Sequence, residues 1–336
     1  MAYITLNKKY FFNNLDIITK QSKGIDKVAV VLKDNGYGHG ILEIAKMAEE
    51  YGVKKAVVSN NEEAKKIENY FEYILVLADF PTSLNEKIRY TINSIDSIKK
   101  FPKATKVELK VDTGMGRNGI SMMELKDSFL AIKEQGLNLE AVFTHHRSAD
   151  ELSGEWFWQN DNFKKVKLES TKLALEYGFG KLRFHSANSA SLFRHQNFSE
   201  DMARVGIALY GCLESIENSY GLKPILSVYA DKISSREMKK GSKIGYGATY
   251  TFKEDSIVSN YNFGYGDGFL RICSNNFTTV DYKELVGRIS MDNSSFIAID
   301  EKLLIFNDAR VVAKLAKTIS YEVLTSLKSD LKREIV

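Results

Sequence analysis

The alternation of short apolar segments with longer amphipathic ones constrains the fold of this chain more than any other feature of its sequence. Apolar runs rich in β-branched residues recur at 28–32, 55–59, 73–77, 90–93, 107–111, 139–144, 182–185 and 205–210. Segments with helical spacing lie between several of them, at 41–50, 61–70, 122–135 and 156–177. Each of these segments is too polar on one side to be buried throughout. Eight strand and helix units in succession predict an α/β fold, a (β/α)8 barrel of the TIM type.

The pattern changes after about Gly211. Strand-like runs at 225–230, 256–263, 277–282 and 296–299 are separated by turns rich in Gly, Asn and Asp. This texture predicts a C-terminal domain that is mainly β-structure. We therefore expect the barrel to span 8–215 and the β domain 216–336, with residues 1–7 pairing with the β domain.

Charge and cysteine content argue against several classes of partner. The chain has 47 Lys and Arg residues against 43 Asp and Glu, so its net charge of +4 predicts neither a nucleic-acid nor a membrane partner. Cys212 and Cys273 form no CxxC pair, which favours a reducing cytoplasm and predicts no metal site. No run approaches the roughly 18 apolar residues of a membrane span.

A lysine stands at the end of the first predicted strand. Lys33 is followed by a glycine-rich loop in the segment VLKDNGYGHG. A lysine in a partly desolvated barrel mouth has a lowered pKa, and a neutral amine is what Schiff-base chemistry requires. The alternative is an ordinary lysine at a strand end that extends to solvent.

Three further polar residues follow later predicted strands. Asp112, His145 and His185 each come directly after an apolar run, at positions that face the active-site rim of a barrel. Any one of them alone is more often a structural residue. Their coincidence on the same rim as Lys33 favours a functional site.

The segment 114–119, GMGRNG, matches the glycine pattern of a dinucleotide-binding loop. It lies inside a run of barrel-like units, however, and Arg117 suits a carboxylate better than a pyrophosphate turn. Ser189 and the segment Arg204-Val205-Gly206-Ile207 supply small residues and amides at the last two strand ends, where barrels often bind phosphate.

Two aromatic turns stand out in the C-terminal part of the chain. Tyr246 lies in IGYGATY and Tyr265 in GYGDG. Flanking glycines leave a tyrosine hydroxyl uncovered, which suits a functional group. The alternative is a tight turn whose tyrosine packs on a neighbouring strand.

Taken together, these segments resemble the alanine racemase family, whose fold is an N-terminal (β/α)8 barrel followed by a β domain. The resemblance extends from Lys33 to Tyr321 and rests on nine segments in the family's order. These are VLKDNGYGHG, LKVDTGMGRNG, FTHHRSADE, HSANSA, ARVGIALYG, IGYGATY, GYGDG, VGRISMD and ISYEV.

The resemblance implies a pyridoxal-phosphate enzyme that interconverts L- and D-alanine as a homodimer. Lys33 would hold the cofactor as a Schiff base, and Tyr246 of the other subunit would be the opposing base. The residues implied to hold the phosphate are Tyr37, Ser189, Gly206, Ile207 and Tyr321. Arg204, supported by His145 and His185, would meet the pyridine nitrogen, while Arg117, Tyr265 and the Met291 amide would address the substrate. In many members the lysine that matches Lys110 is carbamylated.

These residue types suit racemisation, which removes the α-proton from one face and returns a proton to the other. Arginine stays protonated, so it can donate to the ring nitrogen without protonating it, and this disfavours transamination. A tyrosine with a pKa near 10 is a poor base at neutral pH. We expect a cationic chain through His145, Arg204 and His185 to lower the pKa of Tyr246.

Other functions remain open at this stage. A decarboxylase for basic amino acids or diaminopimelate shares the architecture, but the chain has neither its glycine triplet nor its catalytic cysteine segment. A cofactor-carrying regulatory protein would need only the barrel. A racemase for serine or a larger amino acid is a third alternative, because one sequence does not fix the volume of the pocket.

The chain departs from the family pattern at several positions. Asp34 and Gly36 stand where alanine is frequent, His146 where phenylalanine is frequent and Leu270 where proline is frequent, and we expect none of these four to touch a proposed catalytic position. They bear on substrate breadth and on the corridor expected to be lined by Asp150, Arg271 and Arg288.

Overall fold

The strands of the first part of the chain are short and buried. The structure is a computed structural model that describes residues 2–214 and 220–336. Its first ten strands are β1 (Tyr3–Leu6), β2 (Val28–Val31), β3 (Lys55–Val58), β4 (Tyr73–Val76), β5 (Ile88–Ile92), β6 (Lys106–Asp112), β7 (Ile120–Ser121), β8 (Asn138–Phe143), β9 (Arg183–His185) and β10 (Ala203–Val205). Every residue of β2 and of β4 is buried, as expected for parallel strands covered on both faces.

Eight of these strands form a nearly closed parallel barrel. Their order is β10-β2-β3-β4-β5-β6-β8-β9, with the two-residue β7 added beside β6. β9 and β10 are linked at the remaining gap by the Arg204 amide, which donates to the Ala187 carbonyl at 2.9 Å. The sequence prediction of a TIM-like barrel is therefore confirmed.

Helices cover the barrel and two more lie in the second part of the chain. They are α1 (Lys8–Ser22), α2 (Lys33–Tyr37), α3 (Ile41–Tyr51), α4 (Asn61–Ile67), α5 (Leu125–Glu134), α6 (Glu155–Tyr177), α7 (Ser189–Arg194), α8 (Ala309–Ala316) and α9 (Ser320–Thr325). In the described residues, no helix combines the length and the apolar character that crossing a membrane requires.

The second domain is built on its own sheet. Its strands are β11 (Leu226–Met238), β12 (Lys243–Ile244), β13 (Tyr250–Thr251), β14 (Ser256–Tyr261), β15 (Ser294–Ile297), β16 (Lys302–Phe306) and β17 (Lys332–Ile335). The sheet order is β15-β14-β11-β1-β17, with β16 also paired to β11. β1 therefore lies in this sheet, antiparallel to β11 and parallel to the last strand.

The mainly-β character of the second domain was predicted correctly, but some elements differ. The predicted strand at 277–282 is wrong, because only an isolated bridge from Thr278 to Glu284 forms there. The chain turns back at Tyr282, whose φ is +60°. The last barrel strand ends at Val205, where 205–210 was predicted. The predicted domain boundary at 215–216 falls outside the described residues.

Gly38 brings the mouth of the barrel against the second domain. Its φ is +75°, and a Cβ at this position would lie 1.9 Å from the carbonyl oxygen of Leu324 in α9. The backbone of the loop after Lys33 therefore approaches α9 as closely as a glycine allows.

We expect Gly38→Ala to lower the apparent free energy of unfolding by more than about 2 kcal/mol, because left-handed strain adds to a clash with backbone. Gly241→Ala is a matched control, since Gly241 has φ +84° but a Cβ added there would meet no heavy atom within 4 Å. Urea unfolding of both variants measures the difference. Equal losses of stability would contradict this interpretation of the contact with α9.

Candidate active site

Lys33 emerges from the barrel at the start of an unusual turn. Leu32 separates it from the end of β2, and its side chain is 38% exposed. The next residues adopt left-handed backbone, with φ of +54° at Asp34, +55° at Asn35 and +52° at Tyr37. Such backbone costs about 1–2 kcal/mol for each L-residue that is not glycine. The turn must therefore be stabilised by its surroundings.

Three side chains stabilise this turn. The Glu63 carboxylate accepts from the Asp34 amide at 2.6 Å and also from the Ser59 amide at 2.8 Å. Asn35 Oδ1 accepts from the Ile41 amide at 3.0 Å, and Arg333 of β17 donates to the Gly38 carbonyl at 2.9 Å. The direction in which Lys33 projects thus depends on α4 and on the last strand of the second domain.

Asp34 and Gly36, two of the departures from the family pattern, lie in the turn that follows Lys33. The Asp34 Oδ2 atom is 3.5 Å from Lys33 Nζ. The expectation that this departure leaves the catalytic positions untouched therefore needs correction: Asp34 is an ionic neighbour of Lys33. His146, another departure from the family pattern, is buried, and its Nδ1 is 3.0 Å from Ser191 Oγ.

Arg204 is buried in β10, the strand next to β2 in the barrel. Its Nη2 donates to the Thr144 carbonyl at 2.7 Å and to the Ser186 carbonyl at 3.2 Å, and its Nη1 donates to His185 Nδ1. Within the described parts of the chain, every side-chain hydrogen bond recorded for Arg204 uses Nη1 or Nη2. Its Nε–H is therefore the donor left for a ligand.

The two histidines expected to support Arg204 are neutral. Burial lowers the pKa of His185 although Glu108 opposes this, and burial, together with Arg204 and Lys110, holds the pKa of His145 well below its usual value. The expected cationic chain therefore needs correction, because at neutral pH the positive charge is carried by Arg204 alone. Burial is the physical reason, since it disfavours a second charge beside the guanidinium.

Lys110 and Arg117 lie on β6 and in the loop that follows. Burial lowers the pKa of Lys110 to about 8, and the Arg117 and Arg204 charges act in the same direction. Arg117 is exposed at the barrel mouth. Asp112 shapes its loop, because the carboxylate accepts from the amides of the three residues Gly114, Met115 and Gly116 at 2.7–2.8 Å.

The residues expected to hold a phosphate converge on one side of the mouth. A Cβ at Gly206 would lie 2.7 Å from the Tyr37 hydroxyl, so the tyrosine lies directly against this backbone. Ser189 Oγ accepts from the Gly206 amide at 3.0 Å, and Ile207 is buried next in the chain. The Tyr321 ring from α9 lies 5.7 Å from the Tyr37 ring. Burial raises the pKa of both tyrosines, which therefore keep their protons and can donate.

The remaining predicted residues all lie in the second domain. Tyr246 is 67% exposed in the turn after β12. Tyr265 and Met291 lie together, since the Tyr265 amide donates to the Ser290 carbonyl at 3.0 Å and the Gly266 amide to the Met291 carbonyl at 2.8 Å. In residues 2–214 and 220–336, no hydrogen bond, ion pair or ring contact is recorded between Tyr246 and the residues around Lys33.

The three residues expected to line the corridor are all exposed, but they too are divided between the domains. Asp150 belongs to the barrel, and Arg271 and Arg288 belong to the second domain. Arg288 lies beside the Tyr246 turn, where a Cβ at Gly247 would be 3.1 Å from its Nη1.

Sequence reasoning missed four residues that shape the site. Glu63 and Arg333 hold the turn after Lys33, and Glu108 receives a hydrogen bond from His185. Glu200 accepts from the Ser186 amide at 2.5 Å and so fixes the loop that carries Ser189. Only Glu108 had a signal in the sequence, as an acidic residue inside the apolar run Val107 to Val111.

Comparison with known proteins decides the family. The N-terminal domain model of alanine racemases matches residues 6–214, and the C-terminal domain model matches residues 225–335. An alanine racemase from Nitratiruptor is 44% identical over 99% of both chains, and one from Campylobacter curvus is 39% identical over the full length of both. This chain belongs to the alanine racemase family.

Solved structures agree with this family assignment. An alanine racemase from Clostridium difficile superimposes with a TM-score of 0.89 at 26% identity, covering 100% of this chain and 95% of its own. One from Streptomyces lavendulae, at 22% identity, has the same fold with a TM-score of 0.88 over 100% of this chain and 97% of its own.

Enzymes of the alanine racemase family depend on pyridoxal phosphate, and the residues at this barrel mouth fit that group. Hydroxyls of Tyr37, Ser189 and Tyr321 and backbone beside Gly206 form a set of donors, which suits a phosphate. A Cβ at Gly206 would fill part of this space. Arg204 lies in β10 and Lys33 just beyond the end of the neighbouring β2, so the Nε–H of Arg204 would serve the ring nitrogen and the amine of Lys33 the carbonyl carbon of the cofactor.

The pKa of Lys110 predicts a pH dependence of stability. A lysine in the unfolded chain titrates near 10.4, whereas the folded value is about 8. Between these values the unfolded chain binds more protons, so stability should rise with pH there. From about pH 7.5 to about pH 9.5, we expect cofactor-free protein to gain about 1–2 kcal/mol more than Lys110→Met. Urea unfolding at both pH values measures this gain, and parallel curves for the two proteins would refute it.

Proposed function

We propose that this chain binds pyridoxal phosphate and interconverts L- and D-alanine by a two-base mechanism. The observation that carries the proposal is that the buried Arg204 lies in β10 and Lys33 just beyond the end of the neighbouring β2, beside a set of phosphate donors. The proposal also agrees with the names of the relatives described above, which are all alanine racemases.

Each group at the barrel mouth has a distinct task in this proposal. The Lys33 amine holds the cofactor covalently, and Arg204 donates its Nε–H to the ring nitrogen. Tyr37, Ser189, Tyr321 and the backbone of Gly206 and Ile207 bind the phosphate. The bound cofactor supplies a conjugated ring that delocalises the charge left at Cα when the α-proton is removed.

Arg204 limits how far that charge is withdrawn. Burial lowers its pKa to about 10, so the guanidinium is still protonated at neutral pH. It donates a hydrogen bond to the ring nitrogen but keeps its proton. The neutral imidazoles of His145 and His185 add no further positive charge around it. This balance favours return of the proton to Cα, which is what racemisation requires.

A homodimer would complete the site. Racemisation needs a base on each face of Cα, and Lys33 supplies one of them. Tyr246 is exposed and lies in the second domain, so we place it in the site of the partner subunit. A two-fold dimer then builds two equivalent sites, each with a lysine from one subunit and a tyrosine from the other.

The substrate carboxylate would be bound by residues from both domains. Arg117 supplies the positive charge, and the Met291 amide and Tyr265 complete the pocket. We further propose that Lys110, whose amine is largely neutral at slightly alkaline pH, takes up carbon dioxide as a carbamate and releases a proton. The carbamate would then carry a negative charge beside Arg117. Repeating the unfolding measurement on Lys110→Met and wild type with bicarbonate tests this, because only the wild type should be stabilised.

The product would serve as the D-alanine of a bacterial cell wall, made in the cytoplasm. Two free, buried cysteines, Cys212 and Cys273, agree with a reducing compartment. Serine or a larger amino acid remains the alternative substrate, and loss of optical activity across a panel of L-amino acids separates these cases.

The function is tested by following exchange of the α-hydrogen of L- and D-alanine in deuterium oxide. The wild type should exchange and racemise both enantiomers, and Lys33→Ala should lose the yellow cofactor absorbance. The family implies that lysine acts on the D-enantiomer and tyrosine on the L-enantiomer. Tyr246→Phe should therefore lose exchange from L-alanine by about 10²- to 10⁴-fold while exchange from D-alanine persists.

Tyr250→Phe is the matched control for Tyr246→Phe, because it removes a hydroxyl four residues away in the same segment. It should leave both rates close to those of the wild type. Equal loss of exchange from both enantiomers in Tyr246→Phe, with the cofactor still bound, would indicate a single base or a different tyrosine. Tyr250 and Tyr265 would then be the next candidates.

The shared site is tested by mixing two inactive variants. Lys33→Ala and Tyr246→Phe chains should regain activity when subunits exchange, because a hybrid dimer contains one intact site. Differently tagged chains show directly that hybrids have formed. Hybrids without activity would rule out a tyrosine donated by the partner.

A further inference from the structure

A carboxylate is buried inside the barrel below Arg204. Glu108, on β6, has no exposed surface, yet it lies among apolar strand residues where an isolated charge would be strongly disfavoured. Its Oε2 atom is 2.8 Å from His185 Nε2. His185 Nδ1 in turn faces Arg204 Nη1. The three side chains form a continuous line from the interior of the barrel to its mouth.

The direction of these hydrogen bonds is fixed by chemistry. A guanidinium has only donors, so His185 Nδ1 must accept from Arg204. A neutral imidazole then carries its proton on Nε2, where the Glu108 carboxylate accepts it. One tautomer of His185 satisfies both neighbours, and it is the tautomer that a carboxylate at position 108 favours.

Two other donors hold the carboxylate in place. Glu108 Oε1 accepts from the Tyr73 hydroxyl at 2.5 Å and from Arg183 Nη2 at 2.9 Å. Burial alone would raise the pKa of Glu108, but the hydrogen bond from His185, the Arg183 charge and the hydrogen bond from Tyr73 hold it well below its usual value. The group therefore remains ionised at neutral pH, and each of its oxygens has a fixed partner.

We propose that Glu108 is a positioning residue that acts through His185 to orient Arg204 and to weaken it as a proton donor toward the cofactor ring. This inference rests on the proposed function. The negative charge polarises the imidazole, so that Nδ1 becomes a stronger acceptor and holds Nη1 of Arg204. The Nε–H would then be the donor that serves the ring nitrogen. The same charge opposes the effect of burial and keeps the proton on the guanidinium.

Loss of the charge would change the outcome of the reaction as well as its rate. Without it, Arg204 would donate more strongly to the ring nitrogen, and the α-proton would be returned to Cα less often than in the wild type. Water would then release pyruvate by supplying its carbonyl oxygen, and the amino group would be left on the cofactor as pyridoxamine phosphate. Pyruvate formed per racemisation event reports this side reaction.

The variant that tests the proposal is Glu108→Gln, and the chain offers a matched control in Glu140→Gln. Glu140 shares Arg183 with Glu108, although its own side chain is partly exposed: it accepts from Arg183 Nη2 at 2.9 Å and from Arg89 Nε at 3.0 Å. Across the described ranges, no contact between Glu140 and His185 is recorded. Both substitutions replace a carboxylate that pairs with Arg183, but only one of them acts on His185.

The first measurement does not depend on catalysis. In full-length protein with ¹⁵N-labelled histidine, with and without pyridoxal phosphate, the His185 Nε2–H proton should appear far downfield because it is bonded to a carboxylate. Glu108→Gln should move this resonance upfield, and Glu140→Gln should leave it in place. An unchanged resonance in Glu108→Gln would overturn the proposal even if the enzyme proved inactive on every amino acid.

The second measurement uses enzyme loaded with pyridoxal phosphate. We expect Glu108→Gln to lower kcat for alanine by at least about tenfold, to change KM by less than about twofold, and to raise the ratio of pyruvate to racemised product. Glu140→Gln should change none of these by more than about twofold. Identical behaviour of the two variants would overturn the proposal. Failure of the wild type to racemise any amino acid would instead refute the proposed function.

Glu108→Asp covers the case in which Glu108→Gln does not fold. It keeps the charge but withdraws it from His185 by one methylene. It should shift the ring-proton resonance and lower kcat in the same direction but to a smaller extent, with less pyruvate than the amide variant where both fold. If Glu108→Gln does not fold and Glu108→Asp gives wild-type values for all three readouts, the proposal is overturned.

Discussion

Burial of one guanidinium organises the mouth of this barrel. Arg204 is enclosed by protein, and a charge there is tolerated only when its donors are matched by acceptors. The carbonyls of Thr144 and Ser186 and the ring of His185 provide them. These acceptors come from the ends of β8 and β9. The hydrogen bonds of Arg204 therefore also connect β10 with β9 across the gap between these two strands. The same requirement therefore closes the barrel and creates a rigid donor at its centre.

The second domain supports the barrel mouth as well as adding groups to it. The left-handed turn after Lys33 is strained, and part of what holds it is Arg333, from the last strand of the chain. α9 adds Tyr321 beside Tyr37 and leaves room only for a glycine at position 38. β1, at the other end of the chain, lies next to that last strand in the same sheet. Both ends of the chain are thus fixed where they stabilise the direction of Lys33.

Much of the fold was predictable because buried parallel strands appear in a sequence as apolar runs. The polar residues that follow these runs were predicted as a site because strand ends face the active-site rim of a barrel. The segment at 277–282 forms a turn with Tyr282 at φ +60°, and hydrophobic patterning does not distinguish such a turn from a strand. Glu63 and Glu108 were not predicted as site residues. Their partners lie 29 and 77 residues away in the chain, so only the closed barrel brings them together. Local sequence indicates which groups reach the rim but not which groups hold them there.

The division of the site residues into two groups has a consequence for how the enzyme is built. Within one chain, the groups around Lys33 are braced by that chain's own second domain, through Arg333 and Tyr321. Tyr246, in contrast, projects from the surface of the same domain. In the proposed dimer each second domain therefore acts twice, as a brace for its own lysine and as the source of a base for its neighbour. Separation of the subunits would remove the second base but leave the cofactor site intact. Subunit association would therefore affect catalysis more strongly than it affects cofactor binding.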